Sequence, residues 1–390
     1  MEQEQTYLIC LLRAFIHDTA PEKPEKLSWE RLISLAGIHA VTGIVGHMAV
    51  KYDLCPEPEY KQKLRTVCMQ TVSLYTRRAA LAQKLTGELA AAQVPTVAIK
   101  GYILRQYYPV PELRTYGDVD LTIRPEDRAK CHRLMLDWGF APGEDWEPVY
   151  SYRRGEEYYE LHTKLLDALP TEDPALARYF ADPWQHAVKS PDGGWQFAPR
   201  YHFVYLIAHI AKHLRGGGSG LRMYLDIAAF LLFYGSDMNW EEVRQDLEHI
   251  GLWPGANAVL TAVSRWFGVA SPLPLQAPTA EQWTLFQSFV FLGGVFGQAE
   301  PEQQTHSALS RAHRGRAAAV TARLFPSAKT IETRYTYLQK RPWLLPVAWV
   351  HRLILTRDHW KSHREEADRL LHADGEKVEM TRKLYHWLGL

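Results

Sequence analysis

The chain has 390 residues, 46% apolar and 23% charged, enough for roughly two to three domains at ~150 residues each. Lys and Arg number 45 against 44 Asp and Glu, and the net charge of +1 excludes a globally basic nucleic-acid-coating protein and an acidic tail alike. Its 13 Trp, 20 Tyr and 13 Phe exclude a disordered or low-complexity chain.

Four cysteines (Cys10, Cys55, Cys68 and Cys131) lie far apart without CxxC or CxxH spacing, so neither a zinc site nor a disulfide framework is expected. The N-terminus is acidic where a signal peptide would be basic. The most apolar run, Met223 to Tyr234, is short and interrupted by Asp226, and a membrane span is not expected. These features predict a cytoplasmic protein with reduced thiols.

Leu8, Leu11, Leu12, Phe15 and Ile16 form one apolar stripe at helical spacing, and Pro21 and Pro24 break that helix. Ser28 reads as an N-cap with Glu30 in the first turn. A further helix is predicted over about Lys61 to Ala92. The texture changes at Val94. Pro95 to Ile99 is a short β-branched run that predicts a buried strand, ended by Lys100-Gly101. A short helix is predicted over Gly101 to Tyr108, and then Asp118 to Arg124 alternates as a strand with one apolar and one polar face. Pro125 opens a helix to Trp138, stopped by Gly139. Tyr150 to Arg154 and Glu157 to Thr163 read as a hairpin about Gly155.

Helices return from Ala175. Tyr201 to Leu214 and Leu221 to Tyr234 flank Gly216 to Gly220, and Asn239 with Glu242 gives a capping-box spacing. Residues 299–316 are polar and predict a loop or linker. Arg311 to Arg341 then carries eight basic residues against one acid, Glu332.

Asp118 and Asp120 are the sharpest feature. At i and i+2 on a strand they share one face, while Val119, Leu121 and Ile123 take the other. Carboxylates that close repel, and a cation or a proton relieves the repulsion. Oxygen-rich sites of this kind suit Mg²⁺ with substrate phosphates. An isolated D-x-D also serves at strand ends as a plain turn and solvent contact. Glu160, in Tyr158-Tyr-Glu-Leu-His162, shares its face with Tyr158 and His162. It is a third carboxylate, or an exposed strand residue paired with an arginine.

A strand ending in a glycine turn, a helix, an h-D-h-D-h strand and a later strand bearing an acid together resemble the nucleotidyltransferase superfamily, with its DNA polymerase β-like fold, over about Val94 to Leu165. More narrowly, Ile99-Lys-Gly101, Tyr108-Pro109, Leu113-Arg114, Gly117-Asp-Val-Asp-Leu121 and Tyr159-Glu-Leu-His162 resemble a large bacterial nucleotidyltransferase family. Ala211-Lys-His-Leu-Arg215, Gly220-Leu-Arg-Met-Tyr-Leu-Asp226, Leu324-Phe-Pro-Ser327 and Leu344-Leu-Pro346 are similar to later motifs of that family.

The resemblance implies an α+β fold: a small mixed-sheet nucleotidyltransferase core at residues 90–168, set between an N-terminal helical region (1–89) and a larger C-terminal helical region. Residues 169–300 would complete the site, and residues 301–390 would form a basic helical region. It implies transfer of an NMP from an NTP to a hydroxyl acceptor with release of pyrophosphate. Asp118, Asp120 and Glu160 would be the catalytic, metal-binding carboxylates for Mg²⁺ (or Mn²⁺). Lys100, Gly101, Arg114, Lys212, His213, Arg222 and Asp226 would be the nucleotide-binding residues.

One departure bears on turnover. Relatives commonly carry Gly-Ser or Gly-Gly at the turn, whereas this chain has Lys100-Gly101-Tyr102 and lacks the hydroxyl. A lysine there can neutralise triphosphate charge, with Gly101 letting the backbone approach phosphate. His209 and His213 stand at i, i+4 but lack the H-E-x-x-H glutamate, which disfavours zinc. Arg222 and Asp226 also have the spacing of a plain helix salt bridge. Two alternatives stay open: a catalytically weak nucleotide-binding or regulatory protein of the same fold, and an RNA-binding module using the basic stretch. Nucleic acid is the less favoured partner, and the acceptor (small molecule, protein or RNA end) is not specified by sequence.

Overall fold

In a computed structural model, residues 2–24, 26–146, 148–166, 174–295, 301–311, 321, 325–331, 335, 337–355 and 368–390 are described. The N-terminal region folds as α1 (Gln3–Ile16), α2 (Trp29–Ile38), α3 (Thr42–Lys51) and the long α4 (Pro58–Ala91). All five members of the predicted stripe in α1 are buried. The Ser28 hydroxyl accepts from the Arg31 N–H at 3.3 Å, the cap expected for α2. Helices α3 and α4 pack very closely because α3 carries Gly46, where an added Cβ would lie 2.6 Å from the Leu64 carbonyl oxygen.

The strands are β1 (Val97–Ala98), β2 (Val119–Thr122), β3 (Ala141–Trp146), β4 (Val149–Arg154), β5 (Glu157–His162), β6 (Ala187–Lys189) and β7 (Trp195–Phe197). They form one mixed sheet in the order β3-β4-β5-β2-β1-β7-β6. β1 runs antiparallel to β2, while β2 and β5 pair in parallel. The predicted hairpin is β4–β5. β6 and β7, which pair with each other and join the sheet through β1, come from the segment assigned to the following helical region. The sheet thus extends past residue 168.

Between β1 and β2 lie α5 (Gly101–Leu104) and two 3₁₀ turns, and α6 (Arg128–Asp137) follows β2 after a 3₁₀ turn that begins at Pro125. Beyond β5 come α7 (Pro174–Tyr179), α8 (Pro199–Arg215), α9 (Leu221–Tyr234), α10 (Trp240–His249), α11 (Trp253–Phe267), α12 (Ala280–Gly293) and α13 (Pro301–Arg311). A further helix, Gly375–Leu388, ends the chain and ties back to α8 through the Tyr385 hydroxyl, which donates to the Leu214 carbonyl at 2.7 Å.

The linker expected at 299–316 is corrected in part: residues 301–311 are helical, with Gln303, Thr305, His306 and Ser307 buried. Polar residues here cover a helix face instead of a loop, because Gln303 Nε2 donates to the Phe289 carbonyl at 2.8 Å. Much of the basic stretch Arg311 to Arg341 lies outside the described residues. Among the described residues no helix is long and apolar enough to cross a membrane.

The sheet is covered on both faces. Val119, Leu121, Ile123, Tyr159 and Leu161 share one core with Leu85 and Leu89 of α4 and Cys131 and Met135 of α6. Val97 and Ile99 belong to the larger helical core with Phe203 and Ile207 of α8. Asp120, Thr122 and His162 fall on that second face by strand alternation and are buried there. The strand expected from Asp118 begins one residue later, at Val119, so Asp120 alone of the pair lies on it and faces a helical layer rather than water.

Candidate active site

The parallel register of β2 and β5 sets Asp120 directly beside Glu160, and Thr122 beside His162. Adjacent parallel strands lie about 4.8 Å apart, so the two carboxylates necessarily share one small volume. Donor atoms of Asp120, Glu160 and His162 all lie within 4.8 Å of one another. Asp120 is 2% exposed and is compensated twice on the same oxygen: Lys100 Nζ donates to Oδ1 at 2.6 Å and His162 Nε2 at 2.8 Å. Burial pushes the Asp120 carboxyl up, but Lys100 and His162 outweigh it and hold it below the ordinary carboxylate range. His162 also stands 3.6 Å from Glu160, and those carboxylate contacts raise its pKa against the opposing effect of burial.

Asp118 precedes β2, and the charge of Lys100 offsets its burial only in part. Burial first, then the charge of Asp120, pushes its pKa up to about 6. Three carboxylates here face one lysine and His162, and these oxygen donors fit a divalent cation. The compact donor set places His162, rather than Asp118, with Asp120 and Glu160.

All ten sequence-predicted site residues line one cleft of about 940 Å³: Lys100, Gly101, Arg114, Asp118, Asp120, Glu160, Lys212, His213, Arg222 and Asp226. Lys100 lies between β1 and α5, and the residue before it is held by α8, whose His202 Nε2 donates to the Ile99 carbonyl at 3.1 Å. Gly101 is required by close approach. A Cβ there would sit 2.6 Å from both Arg114 Nη1 and Tyr116 Cβ.

Arg114 and Asp226 meet each other. Arg114 Nε donates to Asp226 Oδ1 at 2.8 Å, Nη2 donates to Oδ2, and the Tyr108 hydroxyl donates to Oδ1 at 2.7 Å. Arg114 Nη1 donates to the Thr115 carbonyl at 2.6 Å, so each guanidinium nitrogen is engaged within the protein. The helix salt bridge read from the Arg222/Asp226 spacing does not form. Asp226 is claimed by the bidentate Arg114 fork, and Arg222 Nη1 instead donates to the Thr115 carbonyl at 3.0 Å and to its hydroxyl at 3.1 Å. Partly buried and next to Arg114, Arg222 has its pKa lowered to about 10 by desolvation first and then by that neighbouring charge.

His209 and His213 do cluster on α8, with their Nε2 atoms 3.2 Å apart. Burial and nearby lysines hold the His213 pKa down to about 4, so this end of the cleft carries neutral imidazoles. Sequence reasoning did not assign His162, Tyr158, Tyr75 or Arg78 to the site. The signal for the first two was the two-residue period of β5; Tyr75 and Arg78 lie on α4, where helical spacing gives no hint of the strand loop they reach.

The chain belongs to the uncharacterised nucleotidyltransferase family, whose family model matches residues 25–268. No curated protein matches it significantly. Among solved structures it is similar to the solution structure of the antibiotic-resistance factor ANT(2'')-Ia, at 14% identity and a TM-score of 0.34 over 44% of this chain and 90% of that one. It is also similar to an antigenic nucleotidyltransferase-like protein from Paracoccidioides brasiliensis, at 18% identity and a TM-score of 0.29 over 50% of this chain and 93% of the other.

Proposed function

We propose that the protein transfers an NMP from an NTP to a hydroxyl acceptor, releasing pyrophosphate. The observation that carries this reading is the in-register Asp120/Glu160 pair beside Asp118 and Lys100 at one wall of a cleft that Lys212 and Arg222 also line. Negative and positive groups face one space, as a metal-neutralised triphosphate requires. Asp118, Asp120 and Glu160 would hold Mg²⁺ (or Mn²⁺), which when bound supplies charge neutralisation at the α-phosphate and acidifies the acceptor hydroxyl.

The chain's own residues divide the remaining work. Lys100 and His162 keep Asp120 ionised and fixed in rotamer. Glu160 is half-buried at the cleft and is assigned as the acceptor of the hydroxyl proton. The acceptor oxygen then forms its bond to the α-phosphorus while the bond from that phosphorus to the bridging oxygen breaks, and the electron pair leaves with pyrophosphate. Lys212 and Arg222 are assigned to the departing phosphates, and Arg114 with Asp226 to support of the cleft wall.

The test is labelling of an acceptor panel with α-³²P-NTP. Asp118→Asn with Asp120→Asn abolishes metal-dependent labelling and pyrophosphate release while the circular dichroism spectrum is kept. Labelling unchanged in the double variant refutes the mechanism. Tight NTP binding by the wild type with no pyrophosphate release across the panel favours the regulatory reading instead.

A further inference from the structure

Asp118 reaches the cleft on a short loop that no strand pairing holds, because β2 begins only at Val119. Gly117, the residue before it, is exposed, and nothing lies within 4 Å of where its Cβ would be. Gly117 itself therefore contributes no packing, and the loop is anchored at Tyr116, which is buried. The two carbonyls before Gly117 are each held twice. Thr115 O accepts from Arg114 Nη1 at 2.6 Å and Arg222 Nη1 at 3.0 Å. Tyr116 O accepts from the Tyr75 hydroxyl at 3.1 Å and Arg78 Nη1 at 2.7 Å.

Arg78 does more than hold one loop. Its Nη2 donates to the Glu156 carbonyl at 3.2 Å, in the turn that leads directly into β5. One guanidinium thus spans the entries of β2 and β5, the two strands that carry Asp120 and Glu160 side by side. The Tyr75 ring supports it, with Arg78 Cζ 5.7 Å from the centroid, and Tyr75 in turn packs edge-on against Tyr116 at 5.0 Å. Among the described residues no carboxylate forms an ion pair with Arg78, whereas its neighbour Arg77 pairs with the exposed Glu156 side chain.

We propose that Arg78 is a positioning residue, which sets the distance of Asp118 from Glu160 by tying the Gly117 turn to the start of β5. The proposal rests on the nucleotidyl-transfer reading of the cleft and makes the N-terminal helical region part of the working site. A planar fork with two separated donors can bridge two carbonyls, and a lysine ammonium at that depth holds one of them.

The experiment compares Arg78→Ala, Arg78→Lys and Arg77→Ala in the full chain by three readouts. Mn²⁺ binding is measured from the electron paramagnetic resonance of the free ion. Transfer kinetics come from α-³²P-NTP labelling, and hydrogen exchange is followed in peptides along the chain, including those covering residues 114–122 and the turn around Glu156. Because misplacement of a reacting group by about 1 Å costs on the order of 100-fold, Arg78→Ala lowers kcat by about that factor. It leaves KM for NTP within about threefold, since phosphate contacts are retained. Mn²⁺ affinity falls about tenfold, and exchange accelerates in 114–122 and in the turn around Glu156, the two ends of the tie, and not elsewhere. Arg78→Lys recovers part of each loss, and Arg77→Ala matches the wild type.

Arg78→Ala with unchanged Mn²⁺ affinity and unchanged local exchange overturns the proposal. So does accelerated exchange throughout the chain, which marks a general stabilising role. If the wild type transfers no nucleotide but Arg78→Ala still loosens 114–122 and weakens Mn²⁺ binding, the transfer reading fails and the positioning role stands. If the wild type and Arg78→Ala label equally well, the positioning role fails alone.

Discussion

Replacing Asp226 with Asn separates two roles that the sequence alone left merged. In the structure Asp226 accepts from Arg114 Nε, Arg114 Nη2 and the Tyr108 hydroxyl, and both it and Arg114 are buried. Asparagine keeps the shape and one oxygen but removes the charge that balances a buried guanidinium. Breaking a buried pair from one side costs about 3–5 kcal/mol, and the retained oxygen places this variant near the lower end, at about 3 kcal/mol. At 25 °C that is a loss of roughly 150-fold in the folding equilibrium constant. Urea unfolding at pH 7.5, followed by tryptophan fluorescence, reads it directly. A double variant, Arg114→Met with Asp226→Leu, recovers much of the loss, because two apolar side chains leave no unpaired charge. A loss of less than about 1 kcal/mol in Asp226→Asn, with NTP affinity down more than tenfold, would show Asp226 acting on nucleotide instead of on Arg114.

Three further outcomes follow from the same geometry. Gly101→Ala forces a methyl to within 2.6 Å of Tyr116 Cβ and of an Arg114 nitrogen that is itself held, so it destabilises by about 1–3 kcal/mol in urea titration and reduces α-³²P labelling by displacing Lys100. Gly46→Ala presses on the Leu64 carbonyl across the α3–α4 contact and costs a similar amount, about 1–3 kcal/mol, with KM for NTP unchanged. Burial holds His39 and His202 down to about 4, below the ordinary value of 6.5, so the unfolded chain binds protons that the folded one refuses. Stability is therefore constant above pH 6.5 on this account and falls as pH drops from 6.5 to 4, by about 3 kcal/mol for each histidine. Urea midpoints at pH 7.5, 5.5 and 4.5 that do not decline contradict it.

What the sequence determined by itself was local. The α1 stripe, the Ser28 and Asn239 caps and the inward-facing position of Asp120 on its strand follow from periods of 3.6 and 2, and from capping chemistry that acts within four residues, whereas Asp118, expected on the same strand, lies on the loop just before it. The face shared by Tyr158, Glu160 and His162 was equally legible. The three-residue strands β6 and β7 were not, since so short a segment shows no period and forms only by pairing with a distant edge.

Only the tertiary structure decided which charges meet. Asp120 finds His162 at a separation of 42 residues, and Arg114 finds Asp226 at 112. Arg222 stands one turn from Asp226, yet it turns to Thr115. In water, neighbouring charges at i, i+4 gain a few tenths of a kcal/mol, roughly 0.3–0.5. Inside a folded core a charge left unpaired costs several times that, on the order of 3 kcal/mol. The choice of partner therefore follows the geometry of burial, which sequence spacing does not encode. The same holds for the cleft: the residue types were visible along the chain, and the parallel register of β2 and β5 is what set Asp120 beside Glu160.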